Sequence, residues 1–274
     1  MADDPQRAAM HEYYELGAED ERLVRSARGR LEFERTQEIV QRYLPRPPAA
    51  IADVGGGPGR YALWLASLGY RVVHRDIVPM HVEQVREAAA VCGGGAAIDT
   101  AVADARDLDL KSGSVDAVLL LGPLYHLSER AERVRALREA ARIVRPGGPV
   151  FAAAISRWAP RLDGILRCRV YENYADAELL IGEAERTGVL PPLGPGSFCG
   201  FAHRPGQLRG EFASAGLAVT DLVCVEGGAF LLDDLDLRLA DERDWRVVLE
   251  TARALERVPE LLGIGPHLLA TAHR

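Results

Sequence analysis

Residues Ile51–Gly59, IADVGGGPG, place a short apolar run directly before four closely spaced glycines. A run such as Ala50–Val54 suits a strand buried on both faces, as in parallel sheets. The glycines let the chain turn through conformations closed to residues with a Cβ, and they leave the backbone bare toward a ligand. Leu63, Trp64, Leu65 and Leu68 then suggest a helix, and Gly69 supplies a stop signal. The sequence therefore commits this region to strand, tight glycine turn and helix. A helix entered in this way offers free N–H groups and the positive end of its dipole. Asp53, at the end of the strand, adds an acceptor that suits an ammonium group.

The same alternation continues along the chain. Arg71–Val73 opens a second strand ending near Asp76, and Val82, Val85 and Ala89 mark the next helix. Ala101–Ala103 reads as a short third strand and Val115–Leu121 as an apolar fourth, closed by Gly122-Pro123. Ser128 is placed to cap a helix with the stripe Val134, Leu137, Ala141 and Val144. Pro146-Gly147-Gly148 turns the chain into a fifth strand, Val150–Ile155. Two further strands are expected at Ala218–Val225 and His267–Ala272. The fold class is α/β: a doubly wound, mostly parallel seven-stranded sheet with an N-terminal helical extension and an insertion after strand five. The expected segments are 1–44 as helical extension, 45–155 as core, 156–206 as insertion and 207–274 as completion of the sheet.

Composition narrows the partners. The chain has 33 basic and 40 acidic residues, a formal charge of −7, and no dense basic run. Nucleic-acid binding needs a positive footprint to displace counterions from the phosphates. The arginines of 130–145 alternate with glutamates and read as a solvated helix face, so a small-molecule acceptor is expected and nucleic acid is not. No stretch approaches the ~18 apolar residues of a membrane span, and MADDPQRAAMHEYYE is too acidic for a signal peptide. A cytoplasmic protein without membrane attachment is expected. Cys92, Cys168, Cys199 and Cys224 form no CxxC pair, so packing thiols and no metal site are expected.

The pattern from Asp53 to Gly59, hhDhGxGxG, resembles motif I of the class I S-adenosylmethionine-dependent methyltransferases. The resemblance extends over 45–155. Asp76 stands 17 positions after Gly59, where the family places an acidic residue on the ribose hydroxyls. Asp104-Ala105 stands where it meets the adenine amino group. DLDLKSGSVDAVLLL (107–121) is similar to the approach to strand four, and Arg145-Pro146-Gly147-Gly148 to the turn before strand five. The resemblance implies S-adenosyl-L-methionine as cofactor and S-adenosyl-L-homocysteine as product. It implies a cofactor site of Asp53, Gly55, Gly57, Gly59, Asp76, Ile77, Asp104, Ala105 and Leu121, with Tyr14 and Arg30 closing over it.

Gly122-Pro123-Leu124-Tyr125-His126 follows strand four, where the family faces its acceptor. Tyr125 and His126 are therefore the catalytic candidates, with His126 as base and His203 as a weaker one; a role in capping or orienting its loop is the stronger reading of His126. Trp158, Tyr171, Tyr174, Phe198 and Phe201 of the insertion suit either an aromatic lid or a small local core. Two other functions compete. Gly57-Pro58-Gly59-Arg60-Tyr61-Ala62 fits GxGxxA, with Asp76 at the distance of a dinucleotide site, which would make an NAD(P)-dependent oxidoreductase. That reading leaves Asp53, Asp104 and the Pro-Gly-Gly turn without a role. The last is a non-catalytic cofactor-binding protein of the same fold.

Overall fold

The computed structural model describes residues 19–91, 95, 97–193 and 198–274. They pack as two units. The first gathers the described part of Met1–Ile39 with Ala154–Leu208 and Leu222–Leu269; the second gathers Val40–Ala153, Arg209–Asp221 and Ala270–Arg274.

Five strands follow the expected rhythm: β1 Ala50–Val54, β2 Arg71–Asp76, β3 Ile98–Val102, β4 Ala117–Leu120 and β5 Pro149–Ser156. They pair in parallel in the order β3-β2-β1-β4-β5. Every residue of β1 and β4 is buried, which explains why both lack polar alternation. β3 starts three residues earlier than its apolar core suggests. It is the end strand of this order, and its residues are mostly half-buried or exposed, so polar Asp99 and Thr100 belong to it without cost.

Two short strands, β6 Val189–Leu190 and β7 Gly200–His203, arise within the insertion. β7 pairs with Ile155 and Ser156 of β5 and antiparallel with β6. β8 Ala218–Cys224 and β9 His267–His273 complete the strands, and β9 pairs with both β5 and β8. With the two insertion strands set aside, the order is that of a mixed, mostly parallel seven-stranded sheet, 3-2-1-4-5-7-6. Four residues were too few to show β7 as a strand beforehand.

The helices that matter for the site are α1 Glu19–Arg25, α2 Ala27–Gln41, α3 Arg60–Ser67, α4 Pro79–Val91, the single turn α5 Pro123–His126, and α6 Arg130–Ile143. α7 Ala177–Thr187, α8 Pro205–Ser214, α9 Leu235–Leu239 and α10 Glu242–Leu255 follow. Within the first unit, Ala27 and Leu31 share a core with Leu235, Trp245 and Val248. The Trp245 indole donates to Glu34 at 2.8 Å, and Arg28 donates to the carbonyls of Phe230 and Leu232. The start of α2 thus shares its packing with C-terminal segments. Inside the insertion, fully buried Arg157 donates to the Ala202 carbonyl at 2.9 Å and to Gln207 Oε1 at 2.7 Å. Phe201 and His203 are buried with rings 4.8 Å apart, whereas Trp158, Tyr171 and Tyr174 are exposed. The insertion aromatics therefore divide between a local core and the surface.

Not every arginine of 130–145 faces solvent. Arg133 is 3% exposed and pairs with Glu211 of α8, which is 1% exposed, at 2.8 Å. Its remaining nitrogen donates at 2.7 Å to the carbonyls of both Leu127 and Ser128. One guanidinium thus fixes the chain that follows Tyr125 and His126. α6 begins after Glu129, with no side-chain cap, rather than after Ser128. Among the described cysteines, Cys168, Cys199 and Cys224 are free and only Cys224 is buried; Cys92 lies outside the described residues.

Removing one member of a buried pair leaves the other charge unsolvated, at a cost of about 3–5 kcal/mol. Glu211→Ala is expected to lose stability by that amount in urea unfolding. An effect like that of an exposed pair, below about 1 kcal/mol, would show that Arg133 finds another partner.

Candidate cofactor site

The second unit holds the glycine turn. Gly55, Gly57 and Gly59 all have positive φ, at 66°, 57° and 85°. A Cβ at Gly59 would lie 2.5 Å from Val85 of α4, so this glycine is required by packing as well as by conformation. Gly57 differs: a Cβ there would meet nothing within 4 Å. Its outer face is open, which leaves room for a ligand against bare backbone.

Gly57 is pinned on both sides by β2. Its N–H donates to Asp76 Oδ2 at 2.8 Å, and its carbonyl lies 3.0 Å from His74 Nε2. His74 Nδ1 lies 2.8 Å from the Thr100 hydroxyl. A carbonyl can only accept, so Nε2 carries the proton and Nδ1 accepts from Thr100. Burial pushes His74 below its ordinary pKa despite the nearby Asp76 charge, which keeps the ring in this neutral form. His74 and Asp76 reach the same glycine because alternate residues of a strand face one side.

Asp53 lies beneath the turn, wholly buried. Neither carboxylate oxygen has a hydrogen bond of ordinary geometry among the described residues. Burial first, and the Asp76 charge second, push its pKa up to about 7, and the Ala62 amide opposes this only in part. A buried carboxylate with no partner is rare and calls for an explanation.

Asp76 is more fully engaged than expected. Besides Gly57 it accepts from the Val78 amide at 2.8 Å and from His81 Nδ1 at 3.1 Å. Burial would raise its pKa, but His81 and the two amides outweigh that and hold it below the ordinary range. Three of about four acceptor directions are occupied, so one remains open. Asp104 is half-buried and forms a double contact with Arg106, at 2.6 Å and 2.9 Å; Arg106 also pairs with Glu132. Ile77, Ala105 and Leu121 are half-buried beside the ends of β2, β3 and β4.

Residues 52–152 match the family described as methyltransferase domain. This stretch belongs to that family. A ubiquinone biosynthesis O-methyltransferase of Methylocella silvestris is 37% identical over 118 residues, covering 42% of this chain and 44% of that protein. A tRNA (carboxymethyluridine(34)-5-O)-methyltransferase of Mus musculus is 31% identical over 109 residues, covering 40% of this chain and 14% of that protein. The matched stretch thus spans less than half the length of these relatives. The 1,6-didemethyltoxoflavin-N1-methyltransferase of Burkholderia thailandensis, solved with S-adenosylhomocysteine bound, shares the fold. Its TM-score is 0.57 at 15% identity, over 100% of this chain and 91% of that one.

After β4, Tyr125 and His126 stand on α5 with rings 4.8 Å apart. Loss of hydration, with Asp76 opposing and His81 assisting, pushes His126 down to about 4. Its ring is neutral at physiological pH and a weak base. His203, the weaker candidate, is fully buried in the first unit. Arg30 is exposed there and pairs with Glu34 one helical turn away, at 2.6 Å. Tyr14 lies outside the described residues. His74 and His81 were not singled out in the sequence. The alternation from His74 to Asp76 was the available signal for the first; the second depends on how α4 packs.

The raised pKa of Asp53 has a thermodynamic consequence. The folded chain holds a proton that the unfolded chain releases above pH ~4, so stability falls as pH rises from about 4 to about 7 and levels off above. The largest slope is about 1.4 kcal/mol per pH unit. Asp53→Asn removes it. Urea unfolding without cofactor is expected to show the variant gaining on the wild type from pH 5 to 7. Parallel stability curves would refute the assignment.

Proposed function

We propose that the chain is an S-adenosylmethionine-dependent methyltransferase (EC 2.1.1.-) that passes a methyl group to a small-molecule acceptor by in-line displacement. The observation that supports this best is the buried carboxylate of Asp53, which has no hydrogen bond of ordinary geometry among the described residues, beneath a glycine turn whose outer face is open at Gly57. A dinucleotide site needs the open glycine but not a buried anion under it. A cofactor with an ammonium group needs both.

When bound, S-adenosyl-L-methionine supplies a methyl group on a positively charged sulfur. The chain's own part is positioning and exclusion of water. Asp53 and Gly57 hold the amino-acid end, and Gly55 and Gly59 shape the turn that admits it. Asp76 offers its remaining acceptor direction to the ribose, with Ile77 beside it. Asp104 and Ala105, steadied by the Arg106 pair, border the adenine, and Leu121 lies at the strand end below.

Tyr125 and His126 line the acceptor side. A ring that titrates near 4 holds a lone pair ready at neutral pH. It suits orienting an acceptor N–H or O–H better than removing a tightly held proton. A small acceptor is supported by the net charge of −7 and the absence of a dense basic run. Among the described residues no helix is long and apolar enough to cross a membrane.

The test is thermal unfolding with S-adenosyl-L-homocysteine and, in parallel, NAD at matched concentration. Protection by the first alone is expected; equal or better protection by NAD would favour the oxidoreductase. Asp53→Asn is expected to weaken S-adenosyl-L-homocysteine at least tenfold, or about 1.4 kcal/mol, and His126→Ala to leave it unchanged. Loss of affinity in the second variant would place His126 in the cofactor pocket. Methyl transfer to a product separates an enzyme from a protein that only binds the cofactor.

A further inference from the structure

The first unit contains a cavity of about 340 Å³ that the methyl-transfer reading does not use. Its walls are mainly apolar, formed by Ile155, Ala159, Ile181 and Phe198 among others, and two charged residues line it, Asp163 and His267. Asp163 is already neutralised by Arg167 Nε at 2.5 Å. His267 is the exception.

Its Nδ1 lies 2.5 Å from Glu226 Oε1, and its backbone N–H donates to the other oxygen of that carboxylate at 3.2 Å. Glu32 Oε2 stands 3.9 Å away, itself gripped by Arg22 at 2.6 and 2.9 Å. Burial would lower the His267 pKa, but Glu32, Glu226 and the hydrogen bond outweigh burial and the Arg22 charge, raising it to about 9. The ring is therefore an imidazolium with Nδ1–H committed to Glu226. Its Nε2–H has no hydrogen-bond partner among the described residues. Glu32, Glu226 and His267 converge closely enough to share a metal ion. A proton on His267 and the Arg22 guanidinium already balance the two carboxylates.

That balance defines the ligand. An anion in the cavity would be an uncompensated charge among apolar walls, whereas a neutral oxygen gains a charge-assisted hydrogen bond without adding charge. We propose that this cavity binds a neutral, largely apolar molecule with a carbonyl oxygen, which accepts from His267 Nε2. An aromatic ketone of two fused rings suits the volume, since an apolar cavity of about 150 Å³ takes a single benzene ring. The proposal concerns binding without any methyl donor, so it stands or falls separately from the proposed function.

The probes are 2-acetonaphthone, 2-ethylnaphthalene and 2-naphthoate, titrated by calorimetry into the full chain at pH 7. The ketone is expected to bind at least tenfold more tightly than either of the others. Above pH 9 the ring loses its Nε2 proton, because Nδ1–H stays with Glu226. Ketone affinity is then expected to fall toward that of the hydrocarbon, whose own affinity does not change. This arm uses only the wild type, so it does not depend on a His267 variant that would leave two carboxylates facing each other. In Gly164→Leu the new Cβ makes ordinary contacts, 3.4 Å from Ile181 and 3.7 Å from Val170, while the side chain fills the cavity. This variant is expected to stay folded and to lose all ketone binding. Equal affinity for ketone and hydrocarbon, tighter binding of the naphthoate, no change across pH 9, or unaltered binding in folded Gly164→Leu would each overturn the proposal.

Discussion

Much of the second unit depends on one short interaction set, the capture of Gly57 by β2. Asp76 takes its N–H and His74 takes its carbonyl. With both backbone groups satisfied inside the protein, the turn needs nothing from a ligand to hold its shape. Preorganisation of this kind lowers the entropy lost on binding. It also explains why Asp76 has a depressed pKa and His74 a neutral ring: each is committed to the turn before any cofactor arrives.

Asp53 is the counterpart of that order. Its two oxygens lack a hydrogen bond of ordinary geometry among the described residues. A carboxylate buried without a partner opposes folding at neutral pH, and proteins tolerate such groups mainly where function requires them. The strain is confined to one side chain because β1 around it is an unbroken buried strand. Asp53 thus lowers stability as pH rises toward neutrality.

Elsewhere, charge is buried in pairs. Arg133 with Glu211 fixes the chain after His126, and Arg35, wholly buried, joins Glu256 and the Val225 carbonyl. Arg157 ties the insertion to itself through three segments. These guanidiniums exploit a planar fork that reaches several acceptors at once. In sequence they look like surface arginines. Burial cannot be read from Arg133 itself, because its glutamate lies 78 positions away.

The sequence by itself determined the βα rhythm, the turn at Gly55–Gly59 and the family of 52–152, because these rest on local rules: apolar runs, glycine conformations and short spacings. β1 and β2 began and ended where their residues indicated. Tertiary structure alone decided the rest. It added β6 and β7, too short to carry a pattern, and placed His81 against Asp76. It tied Asp104 to Arg106, and it left the Asp53 oxygens without a hydrogen bond of ordinary geometry among the described residues. It also brought Glu32, Glu226 and His267 together, although Glu32 and His267 lie 235 positions apart in sequence. The division has one physical reason. Backbone conformation follows from neighbours in sequence, whereas the protonation, pairing and exposure of a side chain follow from neighbours in space.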